Sequence, residues 1–157
     1  MIEQIYTYFT VEMIYMWLNL GVLPFWFVLI VFPQSHISRF FITSIFPILI
    51  LGLTYIYLLY IAYVDGYDFF QNFRLYLGFS DIFNLFENQY FLILFWAHFL
   101  TMNLFCGGWI VKNSQLFNIN KFLISLPLIT TYLIGPIGII LYWLIRIFYA
   151  KKISLYE

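Results

Sequence analysis

An all-α membrane protein with four transmembrane helices is the fold class this sequence predicts, and three observations carry it. Of 157 residues, 64% are hydrophobic and only 9% are charged, where a soluble domain carries roughly 25% charged residues. Mean hydropathy is +0.93, and a chain this short has too much surface to cover with so few polar groups, so its solvent must be lipid. The charges also avoid four apolar stretches, each long enough for the roughly 20 residues that one helical crossing needs. A single membrane domain, 1–157, is expected at this length.

The first stretch, 13–32, is uncharged, contains Pro24 and stops at Pro33. The second, 40–64, contains Pro47. Between it and the third lies the longest connection, DGYDFFQNFRLYLGFSDIFNLFENQ. There Asp65-Gly66 reads as a turn, and Asp68 with Gln71 resembles a capping box. Ser80 and Asp81 can cap a further helix past Gly78. Phe69, Phe73, Tyr76, Ser80 and Phe83 recur at a spacing of three to four, broken by the one polar residue, so two short amphipathic helices lying in the interface are expected between the second and third spans. A re-entrant hairpin there is disfavoured, because Asp68, Arg74, Asp81 and Glu87 would be costly at depth. The third span covers 90–111. The fourth covers 122–148 and holds Pro127 and Pro136, each of which frees a carbonyl (Leu123 and Tyr132) and bends the helix.

Seven acids balance seven bases, so no nucleic-acid footprint exists. Four crossings would put Arg74, Arg146, Lys151 and Lys152 on the face of both termini and Arg39, Lys112 and Lys121 on the other. That near-equality leaves orientation open under the positive-inside rule. Cys106, the one cysteine, excludes an internal disulfide and a multi-thiolate metal site. No basic segment precedes the first apolar run, so a cleaved signal or transit peptide is not expected and the first span is retained. The aromatic share of 25% would suit a surface that stacks on a polyene, although AT-rich coding explains most of it. The localisation expected is multi-pass, in a bacterial inner membrane or an organelle membrane.

Polar groups inside the spans are few: Asn19, Tyr55, Tyr57, His98, Thr101, Asn103, Thr130 and Thr131. In hydrocarbon each must face a partner or a cavity. His98 is the one ionisable residue deep in a span, which makes it a functional candidate by default; imidazole can serve as a general acid or base near neutral pH. Taken alone, His98 is better read as a neutral ring bonded to another helix. Asn103 lies about 140° around the helix from His98, so the two need not face one space. Two histidines without flanking carboxylates make a metal site unexpected, and no cofactor is expected. No phosphate loop, dinucleotide glycine pattern or nucleophile elbow occurs. Trp17, Trp26, Trp109 and Trp143 read as interface anchors or as stacking surfaces.

Several runs, in order, resemble the abscisic-acid-deficient-4-like family. They are Asn19-Leu20-Gly21-Val22-Leu23-Pro24-Phe25-Trp26 with Pro33, the long connection with Asp68-Phe69 and Leu85-Phe86, and Trp96-Ala97-His98-Phe99-Leu100. Leu104-Phe105, Gly107-Gly108-Trp109-Ile110, Pro127 and Gly135-Pro136-Ile137-Gly138 with Leu141-Tyr142 complete the set. The resemblance implies a small four-helix membrane protein whose plant relatives form neoxanthin from violaxanthin, an epoxide-to-allene isomerisation. It carries over Trp96, His98, Pro24 and Gly135-Pro136. Two departures accompany it: Asn103 stands where the family has aspartate, and Asn113 stands at an acidic position.

On this reading His98 and Asn103 are the catalytic candidates, and Asn19, Pro24, Trp26, Trp96, Gly135 and Pro136 the substrate-binding ones, in a carotenoid isomerase using His-assisted proton transfer. The alternative is a non-catalytic pigment- or lipid-binding subunit of a larger membrane complex, or a homo-oligomer. A transporter or channel is third, since no internal repeat of the transporter type is present. The partners expected are membrane lipid and a carotenoid.

Overall fold

The computed structural model describes residues 9–151, save the side chains of Ile42 and Thr43. The face expected for Lys152 lies outside the described residues. The described elements are all helical: α1 (Val11–Val31), α2 (His36–Thr43), α3 (Phe46–Val64), a 3-10 segment (Phe69–Tyr76), α4 (Phe79–Glu87), α5 (Gln89–Leu116), α6 (Lys121–Ile134) and α7 (Pro136–Ala150). Three of them, α1, α3 and α5, are long and apolar enough to cross a membrane. With 21, 19 and 28 residues they measure about 32, 29 and 42 Å at 1.5 Å per residue, against hydrocarbon about 30 Å thick.

The second stretch is divided. Residues 36–43 form a separate short helix because Ser35 accepts from the Ser38 amide at 3.0 Å and caps it. Ser44 then accepts from the Phe46 amide at 3.1 Å and opens α3. Pro47 therefore stands in the first turn of α3, where its missing N–H costs nothing.

The fourth stretch departs further. The predicted 122–148 span is two helices of 14 and 15 residues, parted at Gly135, each about 21–23 Å long and short of a crossing. Gly135 has φ +64°, a left-handed conformation open to glycine. Pro136 is not an interior kink; it is the first residue of α7. Its ring suits a helix start, so the proline that was expected to bend one helix begins a second.

By backbone proximity the chain falls into two compact units, one holding the residues through Gly21 with Leu49–Thr101, the other Val22–Ile48 with Met102 onward. In the first, α3 ends in a Schellman turn. Tyr67 N–H reaches Ala62 O at 2.8 Å and Gly66 N–H reaches Tyr63 O at 3.1 Å, with Gly66 at φ +79°; this closes the orphan carbonyls of the last turn. Tyr67 then drops into a core of Ala62, Leu85 and Phe91, which seats the interfacial segment. Asp68 caps that segment by accepting from Phe70 N–H at 3.0 Å. α4 begins just past Gly78 as the sequence suggests, without a side-chain cap from Ser80 or Asp81.

In the second unit α5 ends in the same kind of turn, with Asn118 at φ +51° and Ile119 N–H on Ser114 O at 2.9 Å. Asn120 caps α6 through Phe122 N–H at 3.0 Å. α6 and α7 then pack against each other. A Cβ on Gly138 would lie 2.5 Å from Pro127 O and 2.3 Å from Thr131 N. In a straight helix, residues 127 and 138 would be about 16 Å apart along the axis, so α7 folds back along α6 as a hairpin.

Candidate functional site

The first unit contains a half-open pocket of about 200 Å³ lined by Tyr55 and Leu59 of α3, Asn72 and Leu75 of the 3-10 segment, and Phe91, Leu94, Phe95 and the exposed His98 of α5. His98 contributes its imidazole to this wall and makes no hydrogen bond to another described residue. The helix-to-helix imidazole bond favoured from sequence is therefore not what holds it. Asn72 is oriented from behind, because Tyr67 Oη donates to Asn72 Oδ1 at 2.6 Å. Burial, and then the Asp68 carboxylate, push the Tyr67 phenol upward from its ordinary pKa, so it remains a donor well into alkaline solution. With its oxygen taken, the Asn72 amide keeps its N–H donors for the pocket. An imidazole, a phenol and an amide thus share one half-open pocket whose remaining lining is leucine and phenylalanine.

A second group, also in the first unit, joins two candidates. Trp96 Nε1 donates to Asn19 Oδ1 at 3.2 Å, while Asn19 Nδ2 donates to Tyr15 O at 2.7 Å. Tyr15 and Trp96 also line an open groove of about 500 Å³ with Val11, Leu92 and Ile93. Both polar ends of the Asn19 amide are engaged inside the protein, so it orients the indole.

The remaining candidates sit in the second unit around the hairpin turn. Trp26 is 2% exposed, meets Tyr132 in a tilted ring contact at 5.3 Å between centres and fills the space a Cβ on Gly107 would need. Its Nε1 has no partner among the described residues. Asn103 Nδ2 lies 3.5 Å from the carbonyl of Tyr132, the group that Pro136 leaves without its helical donor. Asn103 Oδ1 lies 2.6 Å from where a Gly135 Cβ would stand. Gly135 and Asn103 are thus together, Pro136 and Pro24 are exposed, and His98 and Asn103 belong to different units.

Sequence reasoning missed a buried polar cluster. Asn113 Oδ1 accepts from Tyr142 Oη at 2.7 Å and from Arg146 Nε at 2.8 Å. The Arg146 guanidinium also lies 4.8 Å from the Phe117 ring centre. The signal available was an arginine in an apolar helix, which must find partners. Among the described residues no group of three His, Cys, Asp or Glu side chains could hold a metal ion.

Comparison with known proteins gives two findings. The family model described as ABA DEFICIENT 4-like matches residues 13–142. Protein ABA DEFICIENT 4, chloroplastic, of Arabidopsis thaliana is 33% identical over 90 residues, which cover 55% of this chain and 40% of that protein. The chain thus spans about two fifths of the length of that curated relative. No solved structure matches.

Proposed function

The chain belongs to the ABA DEFICIENT 4-like family, and from that premise we propose that it is a carotenoid-modifying membrane protein that isomerises an epoxy end group. The observation that carries the proposal is the half-open pocket lined by His98, Tyr55 and Asn72 in otherwise apolar surroundings. An epoxide-to-allene isomerisation conserves every atom. A proton reaches the epoxide oxygen as one C–O bond breaks, and a proton leaves a carbon of the polyene as the cumulated double bond forms. One group that both gives and takes a proton suffices, and imidazole does both near neutral pH. His98 supplies that proton, and the Asn72 amide and Tyr55 phenol orient the oxygen. Phe91 and Phe95 stack on the polyene next to the ring.

Asn103 has a different place in this scheme. It lies on the Tyr132 carbonyl and acts as a positioning residue for the hairpin turn. Trp96 and Asn19 shape the neighbouring groove.

The test is incubation of membranes containing the protein with violaxanthin. Conversion to an isomer of equal mass is expected, with loss of at least 100-fold in rate for His98→Ala and a lesser loss for Asn72→Leu. An unchanged pigment chromatogram removes the proposal.

One observation favours the second reading, a non-catalytic pigment- or lipid-binding subunit of a larger complex. The second unit has its own groove of about 230 Å³, lined by Phe25, Leu29, Phe41, Phe105 and Trp109 with Lys112 as its one charge, and asparagine replaces both acids the resemblance expects. Gentle purification that yields a coloured protein holding unconverted carotenoid would select this reading. A colourless protein without co-purifying subunits would discard it.

A further inference from the structure

Outside the His98 pocket, the groove beside Lys112 is open and apolar, and the Trp26 indole is enclosed by its neighbours. The arrangement of α5, α6 and α7 carries more, and it does so independently of the proposed chemistry.

Six contacts, all within the second unit, set the three helices in register. Asn103 meets Tyr132 and Gly135. Trp109 meets Tyr142 at 5.5 Å between ring centres. Asn113 meets Tyr142 and Arg146, and Arg146 lies over Phe117. α6 therefore climbs antiparallel to α5 from its end at Leu116 to Asn103, the middle of that 28-residue helix. α7 then descends parallel to α5 and returns to the level of Asn113 and Phe117. Backbone groups at the non-helical tip find partners within the protein. Gly135 N–H bonds Thr131 O at 2.9 Å, Gly138 N–H bonds Gly135 O at 3.1 Å, and Asn103 faces the Tyr132 carbonyl. Irregular backbone at membrane depth is tolerated when it is satisfied in this way.

We infer that the chain crosses the membrane three times and that α6 and α7 form a re-entrant hairpin, so that α7 ends on the face where α6 began and that basic face looks onto the anionic cytoplasmic leaflet. Crossings by α1, α3 and α5 put 32–45 and 117–120 on one face and 65–88 on the other. With the hairpin, Arg39, Lys112, Lys121, Arg146 and Lys151 gather on or near the first face. Arg74 alone among the described bases lies on the second, together with Glu12, Asp65, Asp68, Asp81 and Glu87. Four crossings left the bases nearly even. Three crossings and a hairpin give five against one, a bias that sets orientation by the positive-inside rule and suits a negatively charged leaflet.

The test is labelling of single cysteines with a membrane-impermeant maleimide in intact and permeabilised bacterial host cells. Asp68→Cys, Lys121→Cys and Lys151→Cys are placed one at a time in a Cys106→Ser background. Asp68→Cys is expected to label in intact cells, and the other two only after permeabilisation. Labelling of Asp68→Cys and Lys151→Cys together, with Lys121→Cys protected, would establish a fourth crossing and overturn the hairpin. Labelling of Lys121→Cys and Lys151→Cys in intact cells, with Asp68→Cys protected, would overturn the orientation. Should Cys106→Ser fail to accumulate, a fluorescent protein joined to the C-terminus of the natural chain answers the same question, since it matures on the cytoplasmic face. A dark fusion of normal abundance would overturn the inference.

Discussion

Asn113 is a small side chain with a large share in the fold. Its one carbonyl oxygen accepts from two buried donors, Tyr142 Oη and Arg146 Nε, and Arg146 is only 1% exposed. Removing the acceptor leaves a buried phenol unpartnered and strips one bond from a buried cation. Each such loss costs about 1–3 kcal/mol. Asn113→Ala should therefore lower thermal stability in detergent by about 2–4 kcal/mol, while Asn113→Asp keeps the acceptor and adds an ion pair with Arg146. A melting series on the two variants decides it; equal destabilisation by both would refute this account. The family resemblance puts an acid at this position, so the aspartate variant should be no less stable than the natural chain. His98 differs in kind. It borders a half-open pocket and bonds no described residue, so His98→Ala should leave the melting temperature nearly unchanged even where it abolishes conversion.

Among the elements, the hairpin shows what local sequence could and could not reveal. Residues 122–148 are continuously apolar, and hydropathy cannot tell one bent helix from two folded ones. Gly135-Pro136 marks a break in either case. What decides is a close approach, the backbone of Gly138 lying on Pro127 and Thr131, and this depends on tertiary packing that no periodicity reports. By contrast α1, α3 and α5 were legible because length and apolarity are local properties, and the turn read at Asp65-Gly66 follows from a residue that tolerates positive φ. His98 could be read from sequence as the deep ionisable group. Its neighbours Tyr55 and Asn72 could not, since they come from other elements and meet it only through packing. Gly138→Ala should pry α6 and α7 apart, because the added methyl meets backbone atoms that cannot rotate away. A Cβ on Gly108 would meet nothing within 4 Å, so Gly108→Ala should gain up to about 1 kcal/mol from helix propensity. Thermal unfolding in detergent would separate the two, with a lower midpoint expected for Gly138→Ala alone.

For the molecule as a whole, the solvent is the governing fact. Large apolar side chains stand on the outside of every long helix: Trp17, Leu20 and Phe27 on α1, Leu53, Ile56 and Tyr60 on α3, and Phe105 on α5. In water such surfaces would drive aggregation; in hydrocarbon they are solvated. The connection between α3 and α5 is different. Phe70, Phe73 and Tyr76 are exposed, yet Arg74 and Asp81 stand among them 3.9 Å apart, a mixture that belongs at the headgroup level. These two environments should price the same substitution differently. Leu53→Asp places a carboxylate midway along α3, where insertion costs about 2.5–3.5 kcal/mol, and most of the chain should fail to enter the membrane. Phe73→Asp sits where water and headgroups can reach it, and should insert normally. Carbonate extraction of host membranes measures the inserted fraction directly. Equal extraction of both variants would mean that α3 is not surrounded by lipid, and the assignment of α1 and α5 as crossings would fall with it, because all three rest on the same apolar surface.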